Sequence, residues 1–197
     1  TVMELSGRHQ VDITGLIGQY AHGNEPSHHM AYLYNYIGKP WETQEKINQI
    51  LNEQYSNTPE GLSGNEDCGQ MSAWYVLSSM GFYSVTPGLD YYAIGTPHFN
   101  EAAISLENGN TFTISANNLS DQNIYIQSAT LNGATYKRSF LKHAAIMFGG
   151  ELVFEMGPKA NKKWGVEGMP IPQIEKEFQI TPVPYFTTSS QTFEDKL

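Results

Sequence analysis

The sequence predicts an α+β fold, with helices first and an antiparallel β region second. Three observations point there. Over residues 1–86 apolar residues recur at helical spacing. Over 87–165 short alternating runs carry two Asn-Gly hairpin signals. Over 166–197 the chain is Pro-rich and irregular, reading as a linker or tail. Residues 1–22 show little periodicity and are punctuated by Gly15 and Gly18. Pro26 suits a first helical turn, and HHMAYLYNYIG follows, its Met30, Leu33, Tyr34 and Ile37 forming a stripe that Gly38 closes. After Lys39-Pro40, the run WETQEKINQILNEQY places Trp41, Ile47, Ile50 and Leu51 on one face with charges opposite. So short a connection predicts antiparallel neighbours. Residues 55–69 form a loop with three glycines and one proline. QMSAWYVLSSMGF is a third helix, nearly free of charge and ended by Gly81; a helix apolar all round is buried. The few helices here cannot surround it, so further helices from outside the chain are expected.

The β region is read from ISLENGNTFTIS and ATLNGATY, each centred on Asn-Gly. Ile104, Leu106, Phe112 and Ile114 alternate with polar residues, as do Ile124 and Ile126, and GGELVFEM is another alternating run. Short strands at this spacing predict an antiparallel sandwich. Trp164 is expected to pack at an edge, and the tail carries Pro182 and Pro184.

Composition excludes several classes. The chain has 197 residues and a formal net charge of −9, which disfavours nucleic acid and anionic membrane surfaces. No run of about 20 apolar residues exists to span a membrane. The start TVMELSGRHQ has no basic-then-apolar leader pattern, which leaves the compartment open. The one cysteine, Cys68, excludes an internal disulfide, and it has no evident activating partner as a nucleophile. Aromatic residues reach 12%, which suits sugar stacking and β-sheet packing alike. Walker, GxGxxG and GxSxG motifs are missing.

Two loops carry the chemistry. Gly64-Asn65-Glu66-Asp67-Cys68-Gly69-Gln70 sets carboxylates and an amide between glycines, just before the apolar helix. Asp67 reads either as that helix's N-cap or as a general base or cation ligand. Ala21-His22-Gly23-Asn24-Glu25-Pro26-Ser27-His28-His29 has the same form. Its histidines invite zinc, but His28 and His29 are adjacent and HExxH is missing, so Glu25 is the expected reactive or ligand-contacting group, with one histidine packing or hydrogen-bonding. In a barrel of helical hairpins such loops gather at one end and form a pocket. Converging acids suit glycoside chemistry, and oxygen-rich loops suit Ca²⁺; these readings stay open on the residues alone.

The segments HGNEPSHHMAYLYNYIGKPWETQ, GNEDCGQMSAWYVLSSMGFYSVTPG, YIQSATLNG and GGELVFEMGPKANKKWG resemble the C-terminal part of glycoside hydrolase family 92, the α-mannosidases. The resemblance covers roughly residues 12–165. It implies an exo-acting, calcium-dependent, inverting α-mannosidase in which a β-sandwich meets an (α/α)6 barrel, with residues 1–86 as the last barrel helices. It implies that Asp67 is the catalytic base that activates water. Asn65 matches a position that is often a second acid; here it is an amide beside that water. Asn24 and Glu25 match the pair that shapes the mannose and leaving-group subsites. It implies Ca²⁺ as cofactor, without assigning its ligands, and mannose-containing glycans as substrates. It further implies an extracytoplasmic location and a general acid in an N-terminal part of the same protein. The rival class is a carbohydrate-binding or assembly module without catalysis; a structural calcium site is a third reading.

Overall fold

The computed structural model describes residues 13–170. The expectations for residues 1–12 and for the Pro-rich tail from 171 onward lie outside the described residues. The architecture is α+β. A small hairpin, β1 (Leu16–Ile17) and β2 (Tyr20–Ala21), leads into 3-10 turns at Glu25–Ser27 and Met30–Tyr32, then α1 (Leu33–Tyr36) and α2 (Pro40–Glu53). α3 (Gln70–Ser79) follows the long loop.

The predicted first helix is thus mostly 3-10, with one α-turn. One physical reason is visible: the His28 carbonyl accepts the Trp74 Nε1–H at 3.0 Å, while the Tyr32 N–H bonds to the His29 carbonyl, three residues back. The altered winding also corrects the predicted stripe. Met30, Leu33 and Ile37 are 46, 44 and 64% exposed, and Ala31, Tyr32 and Asn35 turn inward instead. Asn35 donates to the Ile94 and Ser139 carbonyls, and Tyr32 donates to Ser78.

In α2 the face of Ile47, Ile50 and Leu51 is buried as expected, extended by Thr43 and Gln44 rather than by Trp41. Trp41 is half-buried under the Lys162 ammonium. α3 corrects a second expectation: Met71, Trp74, Ser78 and Ser79 are buried, but Ser72, Ala73 and Val76 face outward. Among the described residues, the rest of the chain covers one side of it.

The strands are β3 (Phe82–Tyr83), β4 (Tyr91–Ile94), β5 (Glu101–Ser105), β6 (Thr111–Asn117), β7 (Tyr125–Leu131), β8 (Ala134–Thr135), β9 (Phe140–Lys142) and β10 (Gly150–Gly157), with α4 (His143–Phe148) before β10. They form a three-stranded sheet, β3-β4-β9, and a five-stranded sheet, β5-β6-β10-β7-β8. Asn108-Gly109 joins β5 to β6 and Asn132-Gly133 joins β7 to β8, as predicted; Asn132 and Gly133 both have positive φ, as a type I′ turn requires. The sheet is not wholly antiparallel, because β10 runs parallel to β6. The connection through β9 and α4 brings the chain back in β6's direction, which a hairpin cannot do.

Both sheets share one apolar core, with Phe82, Ile94 and Leu141 facing Phe112, Ile126, Leu152 and Phe154. Trp164 belongs to this core and not to an edge: it is 5% exposed, meets Phe154 edge-on and donates to the Tyr136 carbonyl. A second core joins Tyr32, Ile47, Ile50, Trp74 and Tyr83, and this one supports the loops described next. Among the described residues no helix is long and apolar enough to cross a membrane.

Candidate active site

The two polar loops cross backbone on backbone. A Cβ placed on Gly64 would lie 2.8 Å from the Gly23 carbonyl oxygen, and one on Gly23 would lie 2.8 Å from the Ser63 carbonyl oxygen. Gly64 also has φ +88°. Any side chain at either position would push the loops apart. The Gly23 N–H bonds to the Thr14 carbonyl, which ties the crossing to the segment ahead of β1. The crossing sets Asn24 and Glu25 beside the loop that holds Asn65 and Asp67.

The end of α3 then decides what each acid does. Gly69 is the N-cap of α3, and Glu66, not Asp67, supplies a carboxylate to its first turn, accepting the Ser72 N–H at 3.0 Å and the Ser72 hydroxyl at 2.9 Å. Asp67, Cys68 and Gly69 run through left-handed backbone at φ 50°, 58° and 94°. Such conformations cost of order 1 kcal/mol or more for a residue other than glycine, asparagine and aspartate being the more tolerant types. The turn leaves Asp67 and Asn65 exposed, and among the described residues the Asp67 carboxylate accepts no hydrogen bond. The N-cap reading of Asp67 is therefore corrected.

Below the loops lies a floor of buried aromatic and imidazole rings. The His22 Nε2 meets the Tyr55 hydroxyl at 2.6 Å, and that hydroxyl donates onward to the Met71 carbonyl; the Tyr20 hydroxyl meets His22 Nδ1 at 2.7 Å. Burial pushes both tyrosines up, so they remain protonated donors. The His28 Nε2 is 2.9 Å from the His22 carbonyl oxygen, and Gln70 donates to His28 Nδ1 at 3.1 Å. Both histidines thus spend both ring nitrogens on hydrogen bonds. They stack into the second core, with the His22 ring 4.9 Å from His28 and 4.5 Å from Trp74. Burial also lowers the His28 pKa, while its bond to the His22 carbonyl and the negative charges of Glu25 and Asp67 act the other way. Both candidate carboxylates therefore act on this one imidazole.

A pH dependence follows. Burial, reinforced by the His28 ring, lowers His22 from 6.5 to about 3. Between these values the unfolded imidazole binds a proton that the folded one refuses. Stability is therefore full above 6.5 and falls with acid, by about 1.4 kcal/mol per pH unit for one group. His28 shifts in the same direction. Urea midpoints taken from pH 7 to pH 5, above the carboxylate range, should fall steadily; a flat profile would show that neither histidine is held neutral.

Of the predicted residues, the glycine crossing sets the loop of Asn24 and Glu25 against the loop of Asn65 and Asp67. Sequence reasoning missed Gln70 and Trp74, although their spacing of four on one helix puts them on one face, and both bond to His28. A cleft of about 680 Å³ is lined by Tyr55, Leu62, Tyr75, Val76 and His98 and reaches none of the four candidates. Asn24, Glu25, Asn65 and Asp67 offer oxygen donors of the hardness calcium prefers. Among the described residues no three His, Cys, Asp or Glu side chains converge where they could hold a metal ion.

Asp67, exposed and without a hydrogen-bond partner for its carboxylate among the described residues, is chemically available as a base. The profile described as the glycosyl hydrolase family 92 catalytic domain matches residues 1–158, and the chain belongs to that family. It resembles a family GH92 α-mannosidase from Bacteroides thetaiotaomicron, with a TM-score of 0.78 and 45% identity over 82% of this chain and 22% of that one. A family GH92 inverting mannosidase from Bacteroides thetaiotaomicron VPI-5482 matches with a TM-score of 0.73 and 43% identity, over 78% of this chain and 21% of that one. Among curated proteins, an uncharacterized secreted glycosidase of Arthroderma benhamiae is 34% identical over 76% of this chain and 20% of its own length. The chain thus spans about a fifth of the length of these relatives.

Proposed function

We propose that this chain is the base-bearing C-terminal portion of an inverting, calcium-dependent exo-α-mannosidase that removes terminal α-mannosyl residues, of the α-1,2 type, from glycans. The observation that carries the reading is Asp67: an exposed carboxylate without a hydrogen-bond partner among the described residues, held on a left-handed turn where two acidic loops cross. The family and the mannosidases it resembles supply the substrate class; one of the latter was solved in complex with mannoimidazole.

In this reading Asp67 takes a proton from the water that attacks C1 of mannose. Asn65 sits beside that water as a hydrogen-bonding amide. Glu25 and Asn24 contact the sugar and shape the leaving-group side. The general acid comes from the rest of the polypeptide, at the separation of about 6.5–9.5 Å that inversion needs for water to fit. Calcium belongs to the same reading as a cofactor of the intact enzyme.

Residues 1–86 are then part of an (α/α)6-type catalytic barrel and 87–165 part of its β region. The exposure of the apolar side chains Met30, Leu33, Ile37 and Val76 on these helical segments is consistent with further helices packing there. An extracytoplasmic site of action, periplasmic or secreted, matches the description of the Arthroderma relative. The test is a comparison of lengths. The 197-residue chain alone should release mannose from an aryl α-mannoside no faster than buffer, while the longer polypeptide turns it over. Turnover by the isolated chain at rates usual for enzymes would refute the divided site.

A further inference from the structure

Glu25 and Asp67 occupy matching places in their loops. The Glu25 carbonyl accepts the N–H of His28, three residues on, at 3.0 Å, and the Asp67 carbonyl accepts the N–H of Gln70, three residues on, at 3.2 Å. The Asn24 carbonyl makes the same kind of turn with the Ser27 N–H, so each acid sits in an ordinary one-turn bend. The two donors, His28 and Gln70, bond to each other through their side chains at 3.1 Å. An unbroken hydrogen-bonded path therefore runs from the backbone of one acid to the backbone of the other.

The path has a defined polarity. The His22 carbonyl can only accept, so His28 carries its proton on Nε2 and presents a bare Nδ1. Gln70 must then offer its amide nitrogen there, and the same –NH₂ has a second proton for the Tyr83 hydroxyl at 3.1 Å. His28 is 1% exposed, and its own carbonyl is tied to Trp74, one turn of α3 beyond Gln70. The His28 end cannot shift without breaking a buried bond, and the Gln70 end is held by its two part-buried bonds.

From this we infer that His28 and Gln70 are positioning residues, a clamp that fixes the base-bearing loop relative to the loop that contacts substrate. Neither needs to touch the sugar. The inference rests on the reading of Asp67 as base, because a clamp affects turnover only if the group it holds does chemistry.

The test uses Gln70→Met, which keeps the length of the side chain and removes the donor. In the intact polypeptide it should lower kcat on an aryl α-mannoside by about 10- to 100-fold, the usual cost of a small misplacement, with KM changed by no more than about threefold. Loss of packing alone would lower the amount of folded enzyme and leave kcat per folded molecule intact. A kcat within about twofold of wild type, per folded molecule, overturns the clamp. An independent arm needs no activity: histidine-selective ¹⁵N spectra of the chain should show His28 Nδ1 as an unprotonated acceptor, and its signal should move in Gln70→Met. A protonated Nδ1 in the wild-type spectrum overturns the inference even where the variant does not fold. Asp67→Asn in parallel separates the two claims. Turnover that survives that change removes the base reading, and the spectra then decide the clamp alone.

Discussion

Asp67→Asn in the intact polypeptide should lower kcat on α-mannosides by about 10²–10⁴-fold and leave the unfolding free energy from urea melts within about 0.5 kcal/mol of wild type. The two halves of this result have separate causes. Asparagine matches the shape of aspartate but cannot take up a proton from water, so the step that needs a base loses it. Stability is spared because the Asp67 side chain is exposed and accepts no hydrogen bond among the described residues. Its backbone at φ 50° also suits asparagine, one of the few residue types that enter the left-handed region readily. Asp67→Ala is the poorer experiment for the same reason, since it adds backbone strain to the loss of the base. Glu66 provides the contrast. Its carboxylate is already committed to Ser72, so Glu66→Ala should cost stability through the lost bonds to the first turn of α3, about 1 kcal/mol. If Glu66→Gln abolished turnover while Asp67→Asn did not, the two acids would have exchanged roles and the proposed mechanism would fall.

The sequence made some of this legible and hid the rest for identifiable reasons. α2 was readable because Ile47, Ile50 and Leu51 bury one face, and the hairpins at Asn108-Gly109 and Asn132-Gly133 because a tight turn writes itself in two residues. The loops around Glu25 and Asp67 were recognisable from composition and from their place ahead of helices. What joins them was not. Gly23 and Gly64 lie 41 positions apart, and their crossing is a contact of backbones, which leaves no trace in residue type beyond the glycines themselves. The 3-10 winding of the first helical segment, the inward turn of Tyr32 and the parallel pairing of β10 with β6 share this origin. Each depends on a partner far along the chain, Trp74 for the first and the α4 connection for the last. By position alone Asp67 reads equally as a cap or as a base; the left-handed turn decides against the cap, and it is the Glu66 carboxylate that accepts from the first turn of α3.

Trp74→Ala should destabilise the fold by about 3–5 kcal/mol, the largest loss expected from any single truncation here. Trp74 is fully buried, and four rings lie around it: His22 at 4.5 Å, Tyr55 in a near-parallel stack at 5.9 Å, His28 at 6.0 Å and Tyr83 at 6.2 Å. Its removal would open a void bounded by hydrogen-bonded side chains that cannot collapse inward without breaking their own bonds. Since domains are stable by only about 5–15 kcal/mol, the loss takes a large fraction of the total. Trp74→Phe isolates a second component. It keeps most of the packing but strips the proton from the His28 carbonyl, a buried acceptor, at a cost of about 1–3 kcal/mol. With its partner gone, that carbonyl is free to accept from Tyr32 in an α-helical bond, so the segment after Glu25 should rewind toward α-helix. Urea melts of the two variants measure the energies, and backbone chemical shifts over residues 28–33 report the rewinding. A loss below about 1 kcal/mol for Trp74→Ala would show that the aromatic floor does not hold the loops, and with it the frame assigned to Glu25 and Asp67 would go.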